Sequence, residues 1–321
     1  MVAKYILHAL SYRALIVFCF LFYASSSFAM VNNDEFRISL INSLSKNSEI
    51  IRFYQDNEFQ PLWVGNDRKN RERRSYFFKE LKNVSKHVLP ALRYDLDYLK
   101  RQTRSAKSSS ELGLTEALIT LKFIDYSSNL QTGVLKPSSV DKEIVRKVPY
   151  RSSTAYLETI SSVSPADFFR GLQPQSKQYS LLLQEKLRLE KIISQGGWDS
   201  NLPDELIRPG DVGEKVVLLR NALIKRGYLE RTSSEVYDGN LRRAVQLFQL
   251  RHGLAADGIA GPATFSEIAK TAQERLASVL VALEREKWTN FDFGSRHVIV
   301  NLPDFSTKLF ENGVLILKQE T

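Results

Sequence analysis

The spacing of apolar residues along this chain changes character three times. An unbroken apolar run, Ala14 to Ala24 (ALIVFCFLFYA), comes first. Residues 36 to 195 then carry helical spacing. Ile38, Ile41 and Leu44 predict an opening helix with one buried stripe. In IRFYQDNEFQPLW the rings of Phe53, Tyr54, Phe59 and Trp63 crowd together, and Pro61 ends any helix before it. KSSSELG reads as a polar linker with Gly113 as a breaker. Leu114, Leu118, Leu121 and Ile124 follow as a helix that Gly133 and Pro137 close. Ser164 and Pro165 supply an N-cap and a first helical position. Tyr179 to Ile193 forms a longer helix, stopped by Gly196-Gly197.

The pattern sharpens from Pro209 to Lys270, after the Pro-containing linker NLPDELIRPGD. Val216, Leu219 and Leu223 make one stripe, ended by Gly227. Leu241, Ala244, Val245 and Phe248 fall at i, i+3, i+4 and i+7 on a second helix, capped by Gly253. Asp257-Gly258 is a turn, and Gly261-Pro262 opens a third helix. So small a unit is marginal alone, and packing on its neighbours is expected. One more helix spans Ala272 to Trp288. The period then becomes two. HVIVNLP, STKLFENG and VLILKQET read as strands, with Asn312-Gly313 as a two-residue hairpin. The fold class is therefore α+β: a mostly helical region over 30–200, a three-helix domain over 209–270, and an incomplete antiparallel β segment within 272–321. Three strands need a partner surface to be stable.

Composition adds a compartment. Lys4 and Arg13, the apolar run and Ser27-Phe28-Ala29 have the three parts of a secretory signal over residues 1–29. Eleven apolar residues are too few to span a bilayer, which takes about 20. An uncleaved anchor is the alternative. Bulky Phe18 before Cys19 argues against a lipoprotein. Hydrophobic residues make up 43% and charged residues 25%, ordinary for a globular chain. The leader holds two cations and no acid, so its loss takes the formal net charge from +9 to +7. For an exported chain this charge favours anionic wall polymers or lipid headgroups over nucleic acid. The only cysteine, Cys19, lies in the leader, so no disulfide framework is available.

The ordered segments resemble the long exported L,D-transpeptidases of Gram-negative bacteria. A scaffold region corresponds at FYQDNEFQPLW, HVLPALRYDL, LTEAL…DYSSNLQTGVLKP and LQPQSKQYSLLLQEKLRLEKIISQGGW. A peptidoglycan-binding domain corresponds at RPGDVGEKVVLLRNALIKRGYL and YDGNLRRAVQLFQLRHGLAADGIAGPAT. The start of a catalytic domain corresponds at ALEREKW and RHVIVNLPDFSTKLFENG. No single motif is diagnostic, because GLAADGIAGPAT occurs in modules attached to many enzymes. The ordered set is specific. The resemblance implies a cysteine acyltransferase: a thiolate attacks a stem tetrapeptide, expels D-alanine and passes the acyl group to an amine of another stem. Its nucleophile belongs to a His…Ser/Thr-His-Gly-Cys motif that these 321 residues do not reach. No catalytic residue is therefore assigned, no cofactor is expected, and the expected activity is wall binding without transpeptidation. The expected location is the periplasm, with peptidoglycan and other cell-wall synthases as partners and no stable membrane span after leader cleavage. Two alternatives stay open: a non-enzymatic wall-binding or regulatory protein, and the N-terminal product of a disrupted or split gene.

Arg220, Gln249 and Arg251 are candidates to bind stem carboxylates or amides, and Tyr228 is a candidate for the same surface, as a sugar platform or as core. Tyr54, Phe59, Trp63, Tyr237 and Trp288 are either core or sugar platforms, with core favoured for the first three. The run Arg68, Lys69, Arg71, Arg73, Arg74 is a solvated loop or an anion patch. His87, His252 and His297 lack metal-site spacing, and a partly charged His252 suits a helix C-terminus. Glu111 and Glu116 are the nearest candidates for a lytic acid, though an acid in a first helical turn is ordinary.

Overall fold

A computed structural model describes residues 33–198, 202, 205–301 and 305–320. The predicted leader and Cys19 lie outside them. In chain order the helices are α1 (Asn33–Ser43), α2 (Ser48–Asp56), α3 (Arg68–Lys82), α4 (Leu96–Ser105), α5 (Ser109–Thr132), α6 (Ser153–Ser162), α7 (Pro165–Leu172), α8 (Lys177–Ser194), α9 (Glu214–Lys225), α10 (Gly239–Arg251), α11 (Pro262–Ala269) and α12 (Ala272–Trp288). Short helical turns lie at Val84–His87, Ala91–Tyr94 and Pro137–Val140. The strands β1 (Arg296–Asn301), β2 (Ser306–Glu311) and β3 (Val314–Glu320) form one antiparallel sheet in that order. The class is α+β.

Two compact units result. The first holds the described residues through Val84, with Pro90–Ser128 and Arg151–Arg170. Its core is aromatic: Trp63 and Phe123 centroids are 4.9 Å apart, and Phe77 meets Phe123 edge-on at 5.6 Å. The stripe of α1 is offset from the expected one. Phe36, Leu40 and Leu44 are buried, while Ile38 is 54% exposed, because a spacing of four follows the 3.6-residue turn as well as a spacing of three does.

Gly113 does not break a helix; α5 runs straight through it. A side chain there would collide with the Phe36 carbonyl and sit 3.1 Å from Ser39 Cβ. Glycine serves close approach of α1 and α5, and Ser39 Oγ meets Ser110 Oγ at 2.7 Å across the crossing. The basic run is likewise helical. Asp67 caps α3 by accepting from the Asn70 amide. Arg73 turns inward and donates to the Leu62 carbonyl at 2.8 Å, and Arg74 donates to the Trp63 carbonyl.

The second unit holds Ser85–Leu89, Asn129–Tyr150 and the described residues from Gly171 onward. Helices α8 and α12 pack along each other. Thr271 and Glu274 form a capping box at the start of α12. Near its end, Glu284 accepts from the Leu135 amide at 2.7 Å, and Lys287, fully buried, donates to the His87 carbonyl at 2.8 Å. Around α9, α10 and α11 a separate apolar core gathers Val216, Leu219, Leu223, Leu241, Val245, Phe248 and Ile268. Beyond α12, β1 and β2 pair from Arg296↔Glu311 to Asn301↔Ser306. Asn312 and Gly313 both take positive φ, 49° and 76°, which is the geometry a tight hairpin requires. Among the described residues no helix is long and apolar enough to cross a membrane.

Candidate functional site

Helices α9 and α10 each end at a glycine in the left-handed region, Gly227 (φ 79°) and Gly253 (φ 70°). These ends bring Arg226, Tyr228, Arg251 and His252 to one pocket of about 380 Å³. Helix α8 contributes Glu185 and Arg188, α12 contributes Arg275, and Trp198 enters from the segment after Gly196-Gly197. The double glycine, with φ of 102° and 81°, sets that exit.

The rings form the walls and the guanidinium groups sit on them. Arg226 lies 4.8 Å above the Trp198 ring and Arg188 lies 6.0 Å from it. Arg251 sits 5.6 Å from the Tyr228 ring, and Tyr228 meets Phe248 edge-on at 5.1 Å. Two of the four cations have carboxylate partners. Arg188 binds Glu185 through two 2.7 Å bonds, and Arg275 reaches Glu267 at 2.6 Å. Burial opposes charge on Glu267, but Lys270 and Arg275 prevail and hold its carboxyl below the usual range. Arg226 is buried and, among the described residues, donates only to the carbonyls of Ala222 and Ile268, at 3.0 and 2.5 Å. Burial, and then the charge of Arg275, bring it down to about 10. Arg251 is exposed, with no carboxylate partner among the described residues.

His252 is neutral, contrary to the expectation of a partly charged imidazole. Burial, seconded by Arg275, lowers its pKa to about 4. Its Nδ1 lies 3.3 Å from Arg275 Nη1 and its Nε2 lies 3.1 Å from the Tyr228 hydroxyl. Nδ1 also lies 3.5 Å from Glu267 Oε1, the carboxylate that pairs with Arg275. The imidazole thus fixes the ring of Tyr228.

The four residues expected at the binding surface divide. Tyr228 and Arg251 line the pocket. Gln249 does not face solvent: its Nε2 donates to Asp257, Ile259 and Thr264, and its Oε1 accepts from the Gly258 amide at 2.9 Å. It braces the turn into α11. Arg220 is also buried, donating to the Val236 carbonyl at 2.7 Å and to Asp238 at 2.9 Å. Asp238 in turn caps α10. Arg220 borders a second hollow of about 420 Å³, shared with Tyr228 and Arg243. A larger groove, about 640 Å³, follows Leu218, Asn221, Lys225 and Arg231, but no ring lines it.

The remaining candidates serve the fold. Tyr54, Trp63, Tyr237 and Trp288 are buried, and Phe59 is half-buried. Glu116 is fully buried; its carboxylate accepts from the Tyr54 hydroxyl and from the amides of Leu62, Trp63 and Val64, at 2.7 to 3.1 Å. Burial raises its pKa against those bonds. It anchors a loop. Glu111 caps its own helix by accepting from the amides of Lys107 and Ser108. Sequence reasoning missed Trp198, Arg226, Arg188 and Arg275 as site residues. A signal was present for Arg226 alone, in KRGY, where it stands just before the helix-ending Gly227.

Comparison with known families matches two regions. Residues 48–187 match the family described as “Scaffold domain”, and residues 212–268 match “Putative peptidoglycan binding domain”. The second match contains Arg226, Tyr228, Arg251 and His252; Trp198 lies outside both. No curated protein matches the chain.

Proposed function

We propose that this is an exported, periplasmic peptidoglycan-binding protein with the architecture of the L,D-transpeptidases. The match of residues 212–268 to a putative peptidoglycan-binding domain carries the wall-binding part. The scaffold match directly before it fits the same architecture. The strands from Arg296 to Glu320 are read as part of a catalytic domain, on the strength of ALEREKW and RHVIVNLPDFSTKLFENG. The domains are proposed as a leader over 1–29, a scaffold over 30–200, a binding domain over 209–270 and this part of a catalytic domain over 272–321. The proposed activity of residues 30–321 is binding, because they hold no cysteine to act as a nucleophile.

Sedimentation with purified sacculi tests the proposal. The chain from Met30 onward is expected to pellet with sacculi and to release no D-alanine from tetrapeptide muropeptides. A chain that stays in the supernatant at low and moderate salt overturns the wall-binding claim. Released D-alanine overturns the inactivity claim.

A further inference from the structure

We propose that the pocket holding Trp198, Arg226, Tyr228 and Arg251 is where a carboxylate of a murein stem peptide binds, with its neighbouring sugar or amide laid on the Trp198 and Tyr228 rings. This rests on the wall-binding proposal and adds the site and the ligand chemistry.

The charge distribution argues first. A buried guanidinium without a counter-ion has lost hydration that a well-placed anion offsets. Arg226 is buried and, among the described residues, bonds to two carbonyls and no carboxylate. Arg188 and Arg275 are already paired with acids. Among the described residues, the pocket cations without a carboxylate partner are therefore Arg226 and Arg251, both in its lining. An incoming carboxylate would replace lost hydration at one and gain a charge-assisted bond from the other.

Shape argues second. About 380 Å³ falls within the range of small-ligand sites, at its lower end. It accommodates a short piece of polymer. The ring walls suit a ligand with flat or apolar surface next to its anion. Murein stems place free carboxylates beside amides and N-acetylated sugars, whereas a bare phosphate would engage the arginines and leave the rings unused.

The site is also composite. Arg188 and Trp198 lie outside the matched residues 212–268, so the binding domain by sequence holds only part of its own pocket.

Calorimetric titration of the chain from Met30 onward tests this, with a disaccharide tetrapeptide, the same muropeptide with its carboxylates amidated, and inorganic phosphate. Native muropeptide is expected to bind, and amidation to weaken it by about tenfold or more, the size of one lost charge-assisted contact. Arg251→Gln, on an exposed side chain, and Trp198→Ala are each expected to weaken binding similarly. The unfolding midpoint of Arg251→Gln should stay unchanged. Equal affinity of the wild type and Arg251→Gln overturns the assignment, and so does equal affinity for native and amidated ligand. Phosphate binding as tightly as muropeptide overturns it in favour of another anion. Sacculus pelleting separates the two proposals. If wild type and both variants pellet alike, only this site assignment fails; if the wild type does not pellet, the wall-binding proposal fails.

Discussion

The three-helix domain and the terminal sheet are both rich in Leu, Ile and Val, yet they end in opposite states. In the helical domain Leu219, Leu223, Leu241, Val245 and Phe248 are wholly buried. In the sheet Val298 and Val300 are 57% and 58% exposed, and Ile316 and Leu317 both 54%. Three helices can close a core because each turns a single stripe inward. Three strands offer two faces, and neighbouring residues on β3 point to opposite ones. Correct periodicity and pairing thus yield an element but not its burial. Burial needs a second surface, which the helices supply to one another.

Removing core volume tests the contrast most strongly. Phe248→Ala deletes a ring that packs on Tyr228 and lies 4.2 Å from His252. Its expected cost is about 3–5 kcal/mol in urea unfolding; a cost below about 1 kcal/mol would show that the domain core is looser than its burial indicates. Gln249→Leu comes next. It strands the Gly258 amide and takes one donor each from Asp257, Ile259 and Thr264, at about 1–3 kcal/mol, and sharpens the comparison by asking whether polar bracing matters beside apolar packing.

Acid is a milder probe. The unfolded His252 takes up its proton near the ordinary value of 6.5, and the folded one only near 4. Between these values the unfolded chain binds more protons, so stability falls as pH falls. The contribution is complete above about 6.5 and lost below about 4, on the order of 1 kcal/mol because the ring keeps some solvent contact. The same scan on His252→Gln should be flatter across this window; an unchanged slope would assign the effect to other groups. The smallest effect is expected in the sheet. Val300→Thr should change stability by less than about 0.5 kcal/mol, measured by thermal unfolding. A larger loss would mean that this face is covered in solution.

Local punctuation was readable along the chain. Ser164, Gly133, Gly196-Gly197, Gly227, Gly253, Gly261-Pro262 and Asn312-Gly313 stand where elements start, stop or turn. Gly113 was misjudged because a lone glycine gives the same signal for a break and for a close helix crossing; only the Phe36 carbonyl opposite it distinguishes them. Arg220 and Gln249 were misjudged for a related reason. A polar side chain on a short helix reads as solvent-facing until the loop that takes up its hydrogen bonds is in place.

By itself, then, the sequence determined the order and type of elements and the two domain families they match. These follow from side-chain period and backbone freedom, which act over a few residues. Tertiary structure decided which polar groups were free. Arg220, Gln249 and Glu116 each found partners from about ten to more than fifty residues away, while Arg226 was brought beside Trp198 with no acid among the described residues to meet it. Hydrogen bonding and charge pairing at such separations depend on where the chain returns in space, and that is settled only when the helices pack.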